Sequence, residues 1–428
     1  MGKSSSISAA ERQCGERALA LAEAFDAGMR AVSGLGLTAR LEAVTDADPG
    51  AWLCTLHRGQ DIAHGALGMG KGHTEESRVG AVFEALEHHL SGVDRLTADD
   101  LTLRSAYEVA TGESARDKAV ALLTEGPDEP LACLPYDALT GGPRIWIPLF
   151  LSVPDYLEDH SAALRTAVGD GYPYVSVGRY SVNSGWAGGS DVTEASVHGL
   201  NEIIERDALS LLLVDQFLSR RPGPLRVLDP ATLPPDLTEL LAAAEAMTGQ
   251  RVWIIDMTTD VEVPAYTAYV QPAPGEPSHV RGCGASLSRS YAIERSLTEL
   301  IQQYLGAPLK DRLADQLPTR RIKTGGHPRL HACYLADFAE PLKERTEYVA
   351  FQDTEAPGSP QGHLDHLLDV LTQRGCAVYR REQYVTDDVA VVNLFVPGME
   401  RFAIITDGNL VLPGERGTAL LHDMQAAR

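Results

Sequence analysis

Apolar positions recur along this chain in two alternating periods, three-to-four residues in long stretches and two in shorter ones. The first long stretch, 9–33, carries Leu19, Leu21, Ala22 and Phe25 on one helical face. Short strands are predicted at 38–44 and 51–57. A glycine-rich loop, Gly65-Ala-Leu-Gly-Met-Gly-Lys-Gly72, then opens a helix at 75–91 whose buried stripe is Val79, Val82, Phe83, Leu86 and Leu90. Residues 94–128 read as helical with a break at Glu125-Gly-Pro-Asp128, and 131–136 with 145–151 flank a hairpin turn at Thr140-Gly-Gly-Pro143. No usable period runs through 154–172, which reads as a mobile loop. A strand near 174–180, a small-residue loop at 183–190 and a long helix at 191–219 follow. Further on, the pattern predicts a helix at 236–247, strands at 251–257 and 262–270, and a helix at 288–305 capped by Gly306. Residues 307–328 read as a basic, polar loop. Helices near 336–346 and 362–374 and strands at 376–382 and 388–395 precede a polar tail. Strands alternating with helices indicate an α/β fold with mixed sheets.

Composition narrows what such a fold can do. The 428 residues exceed one typical domain, so one two-lobed unit or two to three subdomains is expected. Charge is the stronger constraint. With 37 basic against 59 acidic residues the formal net charge is -22, which argues against sequence-independent nucleic-acid binding and against an anionic membrane surface. The six cysteines, Cys14, Cys54, Cys133, Cys283, Cys333 and Cys376, are scattered, so no paired-thiol zinc or redox motif exists and reduced thiols are expected. No apolar signal core and no stretch of membrane-spanning length is present. The expectation is a soluble, cytoplasmic protein.

The candidate chemistry lies on three of the predicted helices. Each bears polar positions at offsets 0, 4 and 7: Gly80, Glu84 and Glu87; His198, Glu202 and Glu205; Arg295, Glu299 and Gln302. Such spacings put side chains on one helix face. For a single helix a solvated face is the ordinary explanation. The second helix resists it, because Val197, Leu200, Ile203 and Ile204 run into Leu209, Leu211, Leu212, Leu213 and Val214. Carboxylates on a buried helix must be paired or bound to cations. Hard oxygen donors suit magnesium held between carboxylates and nucleotide phosphates, with Lys71, Arg206 and Arg295 facing phosphate oxygens. Gly65, Gly70 and Lys71 nearly spell a phosphate-binding P-loop, but Gly72 stands where its hydroxyl residue belongs, and that reading is rejected. The loop Asn183-Ser-Gly-Trp-Ala-Gly-Gly-Ser190 leads into a helix N-terminus, where free N–H groups favour an anion; a plain tight turn explains it equally well.

Together these segments resemble the YcaO family. Gly70-Lys-Gly72 with Glu84-Ala-Leu-Glu87 is similar to its first nucleotide-binding segment. Asn183-Ser-Gly-Trp-Ala-Gly188 with Glu194-Ala and His198-Gly-Leu-Asn-Glu202-Ile-Ile-Glu205-Arg-Asp-Ala208 resembles the second. Gly282-Cys-Gly-Ala285 with Arg295-Ser-Leu-Thr-Glu299 and Gln302 resembles the third, and Val396-Pro-Gly-Met-Glu400 also looks like the family. The resemblance runs from about residue 60 to about 400. It implies a YcaO-like fold in which mixed sheets and helices surround a central Mg-ATP cleft. Residues 1–60 would belong to the same unit, 61–400 would be the ATP-binding domain and 401–428 a tail without a Pro-x-Pro-x-Pro ending. By the same resemblance Glu84, Glu87, Glu202, Glu205 and Glu299 hold magnesium or order its shell. Lys71, Glu84, Ser184, Arg206, Arg295 and Gln302 contact ATP. Two departures stand out: His88 replaces the usual arginine after the second glutamate, and Ser184 stands where asparagine is frequent.

YcaO proteins phosphorylate an amide oxygen after a nucleophile adds to the carbonyl, which turns a poor leaving group into a good one. The resemblance therefore implies a precursor peptide as substrate, a possible partner biosynthetic protein and a homodimer. The leading expectation is a standalone enzyme of a bottromycin-like pathway that cyclises a peptide cysteine to a thiazoline. Macroamidine formation, thioamidation and a non-catalytic, peptide-presenting role are the alternatives. The general base is not identifiable: His198, His88 and His89 each read as structural histidines, and Cys283 occupies a place where a small residue is needed. Trp186 walls the nucleotide pocket or simply packs, and His363-Leu-Asp-His366 lacks a third metal ligand nearby.

Overall fold

The computed structural model describes residues 15–276, 278, 280–314 and 326–426. Residues 9–14 of the first predicted helix and 315–325 of the predicted basic loop lie outside it. Helix α1 (Leu21–Gly34) starts later than expected. It is followed by an antiparallel sheet of β1 (Thr38–Ala43), β2 (Gly50–Arg58) and β3 (Asp61–Gly72), against which α2 (Thr74–Ser91) packs.

A second sheet contains β4 (Thr102–Ser105), β5 (Pro130–Ala138), β6 (Ile145–Pro148) and β7 (Trp186–Gly189). Its strand order is β4-β5-β13-β14-β7, with β6 paired to β5 and with β13 (Tyr379–Val385) and β14 (Ala390–Phe395) arriving from near the end of the chain. The expected hairpin is the antiparallel β5–β6 pair. Between β7 and these late strands the chain forms α3 (Val192–Leu213), capped by the Asp191 carboxylate, which accepts the Glu194 N–H at 2.8 Å.

The third sheet, with order β11-β10-β9-β8-β12, comprises β8 (Leu225–Leu228), β9 (Trp253–Asp256), β10 (Ala265–Tyr269), β11 (Arg281–Ala285) and β12 (Thr346–Val349). Only β12 runs parallel to its neighbour there. Helices α4 (Pro235–Thr248) and α5 (Arg289–Ala314) bury Leu237, Leu241, Ile293, Leu297 and Ile301 together against it. A larger core joins the other two sheets to α2 and α3 through Leu86, Leu200, Ile204 and Val391. Helix α6 (Pro360–Gln373) packs on α3.

Several expectations fail for a common reason. The glycine-rich run at 65–72 is not a loop but the end of β3, and the small-residue segment at 183–190 contains β7. The glycines serve close packing. A Cβ on Gly70 would lie 1.8 Å from the Ser77 carbonyl oxygen, and one on Gly68 would lie 2.3 Å from the Ala85 nitrogen. Gly282 and Gly284 of β11 meet Ser296 and Ala292 of α5 in the same way, at 2.1 and 2.2 Å. These strands lack the side-chain alternation that announces a strand because helices lie directly on their backbones.

Helix α5 also continues beyond Gly306 and through Pro308, since Gly306 lacks the positive φ of a helix-ending glycine and instead sits against Met69. The stretch 174–180 is a turn ending in a 3-10 segment (Gly178–Tyr180), not a strand. Its Tyr174 turns inward, where Asp170 accepts the Tyr174 hydroxyl at 2.7 Å together with that of Tyr156 at 2.6 Å. Residues 94–128 are helical only in short pieces, α-helical at Ala106–Ala110 and Lys118–Ala121 and 3-10 at Ala98–Asp100, Glu113–Arg116 and Leu122–Glu125, with one strand among them. The tail is ordered as a 3-10 segment (Phe402–Asp407) and a helix (Glu415–Ala426). Arg416 holds that helix to buried Asp207 with contacts of 2.9 and 3.0 Å.

Candidate functional site

Helices α2, α3 and α5 turn their polar faces toward one another around a cavity of about 630 Å³. Their backbones are held there by the glycine-bearing strands, and each strand also anchors an acid. The Met69 N–H of β3 donates to Glu84 at 3.1 Å, the Gly188 N–H of β7 to Glu87 at 2.9 Å and the Cys283 N–H of β11 to Glu299 at 3.2 Å. Two contacts close the ring between β3 and α5: Lys71 pairs with Glu299, and the Gln302 amide donates to the Met69 carbonyl. Between α5 and α3, Arg295 lies 3.5 Å from His198 Nδ1, and along α3 Arg206 pairs with Glu202 at 2.8 Å.

The structure thus brings Lys71, Glu84, Glu87, Glu202, Glu205, Arg206, Arg295, Glu299 and Gln302 onto one cavity wall. Ser184 is the exception. It faces a separate, smaller pocket beside Phe395 and Met399 and its carbonyl accepts from the Asn393 amide at 3.1 Å; the neighbouring Asn183, not Ser184, lines the cavity. Residues the sequence reading missed come from two places. Arg17, Leu19, Leu21 and Ala24 form one wall, and Tyr291, Glu294, Thr298 and Gln303 widen the stripe on α5. The second group was accessible to inspection, because i+3 and i+4 neighbours share a helix face.

Electrostatics separates the acids. Burial raises the Glu84 carboxyl, and burial reinforced by Glu202 and Glu84 carries Glu87 well above the usual carboxylate range. Burial, then the charge of Glu299, pushes Glu205 up to about 7. For Glu299 burial acts in the same direction but Lys71 outweighs it and holds this carboxyl low. Burial opposes the charge on Arg206 and is overcome by Glu202, Asp407 and Glu205; on Arg295 it is overcome by Tyr291 and Glu205. Burial and then Arg295 hold His198 well below the usual imidazole range, hence neutral.

Other polar residues nearby are committed to structure. Glu194 accepts from Arg17 and the Ala18 N–H, both at 3.1 Å, and from the Ser190 hydroxyl at 2.6 Å. Trp186 donates to the Ser152 carbonyl at 2.8 Å, and His88 bonds the Leu67 carbonyl at 2.8 Å. Burial pushes the Cys283 thiol up to about 12, so it is no thiolate nucleophile.

This donor set fits a divalent cation with a nucleotide. Crowded carboxylates raised by one another are relieved by hard cations, and oxygen-only ligands suit magnesium. A phosphate would complete the cationic side, since Arg295 Nε is buried without a hydrogen-bond partner among the described residues.

Comparison with known proteins agrees. A sequence-family model described as YcaO cyclodehydratase, ATP- and Mg2+-binding, matches residues 69–400. An uncharacterised protein from the tfuA 3′ region of Rhizobium leguminosarum bv. trifolii is 27% identical over 368 residues, covering 78% of this chain and 76% of its own. The structure of YcaO from Methanopyrus kandleri bound with AMPPCP and Mg2+ superposes with a TM-score of 0.62 at 19% identity, over 94% of this chain and 96% of that one. A heterocyclase in complex with substrate and cofactor gives a TM-score of 0.60 at 18% identity, over 93% of this chain but only 56% of its longer partner. A chain of the E. coli microcin synthetase McbBCD complex with pro-MccB17 bound gives 0.54 at 15% identity, over 85% of this chain and 88% of that one. Fold and cleft define an ATP- and magnesium-dependent enzyme. The chain belongs to the YcaO cyclodehydratase family.

Proposed function

We propose that the protein activates a backbone amide of a ribosomally made precursor peptide and cyclises a cysteine onto it to give a thiazoline, as in a bottromycin-like pathway. The observation that carries the reading is the convergence on one cavity of Glu84, Glu87, Glu202, Glu205 and Glu299 with Lys71, Arg206 and Arg295. Glu84, Glu87, Glu202, Glu205 and Glu299 would hold or surround the magnesium ions, and Lys71, Arg206, Arg295 and Gln302 would meet ATP. Bound there, Mg-ATP would supply the phosphoryl group that lets the amide oxygen leave as phosphate once the cysteine thiol has added to the carbonyl carbon. The protein's own contribution is fixed charge. Lys71 and Arg295 are oriented before substrate arrives, by Glu299 and by packing against His198, so little reorganisation is needed as negative charge develops. Neutral His198 adds no competing positive charge beside Arg295.

The complexes of two structural neighbours with a substrate and with pro-MccB17 support a peptide substrate here. A partner protein and assembly as a homodimer belong to the same reading. Co-purification with the products of neighbouring genes and light scattering test them. Among the described residues no helix is long and apolar enough to cross a membrane.

The test is incubation with magnesium, ATP and a cysteine-containing precursor peptide from the same gene neighbourhood, reading peptide mass and phosphate together. Loss of water with stoichiometric phosphate and loss of the alkylatable thiol supports thiazoline formation. Water loss with the thiol retained indicates a macroamidine, and exchange of oxygen for sulfur indicates thioamidation. No change in mass or phosphate with a verified substrate leaves the non-catalytic, peptide-presenting role.

A further inference from the structure

Away from the acid cleft, three side chains from two distant parts of the chain meet at the surface. The ligand atoms of His64, Asp155 and His160 all lie within 4.8 Å of one another. We infer that these residues form a zinc-class cation site that clips the start of β3 to the turns at 154–161.

The surrounding geometry prepares the ligands. Asp155 and His160 lie in consecutive 3-10 turns, Pro154–Leu157 and Asp159–Ser161. The Ser161 hydroxyl donates to the Asp155 carbonyl at 2.6 Å, and Arg165 donates to the carbonyls of Tyr156 and Glu158. These bonds hold the two turns in one compact unit. On the other side, the His64 carbonyl is bonded by the His89 ring at 2.8 Å, which fixes the backbone that carries His64. Asp94 lies 3.0 Å from His64 Nδ1. A carboxylate on one ring nitrogen orients a metal-binding histidine and strengthens the other nitrogen as a donor. The two imidazoles stand edge to face with centroids 5.8 Å apart.

Chemistry selects the ion. Two imidazoles and a carboxylate suit zinc or a similar first-row cation, whereas magnesium prefers oxygen ligands alone. In a tetrahedral site with bonds near 2.0–2.1 Å, ligand atoms stand about 3.3 Å apart. Closing from 4.8 Å needs roughly 1.5 Å of side-chain movement, which the exposed His160 can supply by rotating while Asp94 keeps His64 in place. A water would fill the fourth position. None of these residues lines the acid cleft, so the site is separate from the magnesium-binding acids.

The experiment is a zinc titration of untagged, chelator-stripped full-length protein by calorimetry, in saturating magnesium and a non-hydrolysable ATP analogue so that the cleft is filled. Cobalt serves as the spectroscopic probe in a parallel titration. Wild type should bind one zinc equivalent. His64→Ala and His160→Ala should each weaken it more than about 100-fold, and Asp94→Asn by about 10–100-fold, as for other outer partners of metal-bound histidines. Because the three substituted residues are exposed, circular dichroism and nucleotide binding should be unchanged in all three variants. A wild type without that equivalent, or histidine variants that retain it, overturns the site.

Discussion

A single methyl group at Gly70 tests how the cleft is held in place. Gly70 lies on β3 directly beneath α2, and an added Cβ would sit 1.8 Å from the Ser77 carbonyl oxygen and 2.4 Å from the Ala81 nitrogen. Ordinary contact begins at 3.4 Å, so helix and strand must separate by about 1.6 Å, the difference between 3.4 and 1.8 Å. Both obstructing atoms belong to backbone and cannot rotate away. Overpacking of this kind costs about 1–3 kcal/mol. The functional effect should be larger, because α2 carries Glu84 and Glu87 and the 3.1 Å bond from Met69 to Glu84 spans the same contact. Displacing reacting groups by about 1 Å can cost on the order of 100-fold in rate. Gly70→Ala should therefore lose about 1–3 kcal/mol in urea unfolding and roughly 100-fold in peptide-stimulated ATP turnover. Gly80→Ala is the control. Its Cβ would meet Gly70 Cα at 3.4 Å, and alanine in a helix gains up to about 1 kcal/mol over glycine, so stability should hold. A Gly70→Ala protein as stable and active as wild type would refute the close-packing argument.

Three further outcomes follow from the charges. Glu87→Gln removes a carboxyl that burial, Glu202 and Glu84 drive well above its usual range, so the metal-free variant should unfold no more easily than wild type. Its magnesium affinity, read by calorimetry, should nonetheless fall by at least about tenfold. Glu205 shifts from 4.5 to about 7 on folding, so the folded protein binds more protons in that window. This group's stabilising share is full below pH 4.5 and is lost as pH rises through about 7, so melting in EDTA should show a Glu205-dependent downward slope there that Glu205→Gln removes and magnesium reduces. Finally, Arg416→Ala strands the fully buried Asp207 and should cost about 3–5 kcal/mol in chemical unfolding. Asp207→Asn should cost less, because burial already pushes that carboxyl to about 6.

What was legible in the sequence was what side chains write locally. Glu84 with Glu87, Glu202 with Glu205, and Arg295 with Glu299 and Gln302 share helix faces by spacing alone, and the apolar run after Leu200 already said that α3 is buried. The strands behind these helices were hidden because Gly68, Gly70, Gly282 and Gly284 replace alternation with backbone contact, which only the partner helix reveals. Ser184 and Asn183 show the limit of one residue's precision, since neighbours in extended chain face opposite ways. The Arg17 wall had no local signal. Its position depends on Glu16, which bonds Ser286 and, at 3.2 Å, Asn201, both far along the chain. The meeting of His64 with Asp155 and His160 is likewise a product of tertiary structure.

The central claim is that this cleft uses ATP to convert an amide oxygen into a leaving group. The most direct measurement is to label the precursor peptide with 18O at the backbone carbonyl preceding the reactive cysteine and to follow the label during turnover with magnesium and ATP. The account predicts that the 18O appears in the released phosphate, one atom per ring formed. Label retained in the modified peptide, or released into water while phosphate stays unlabelled, would contradict it.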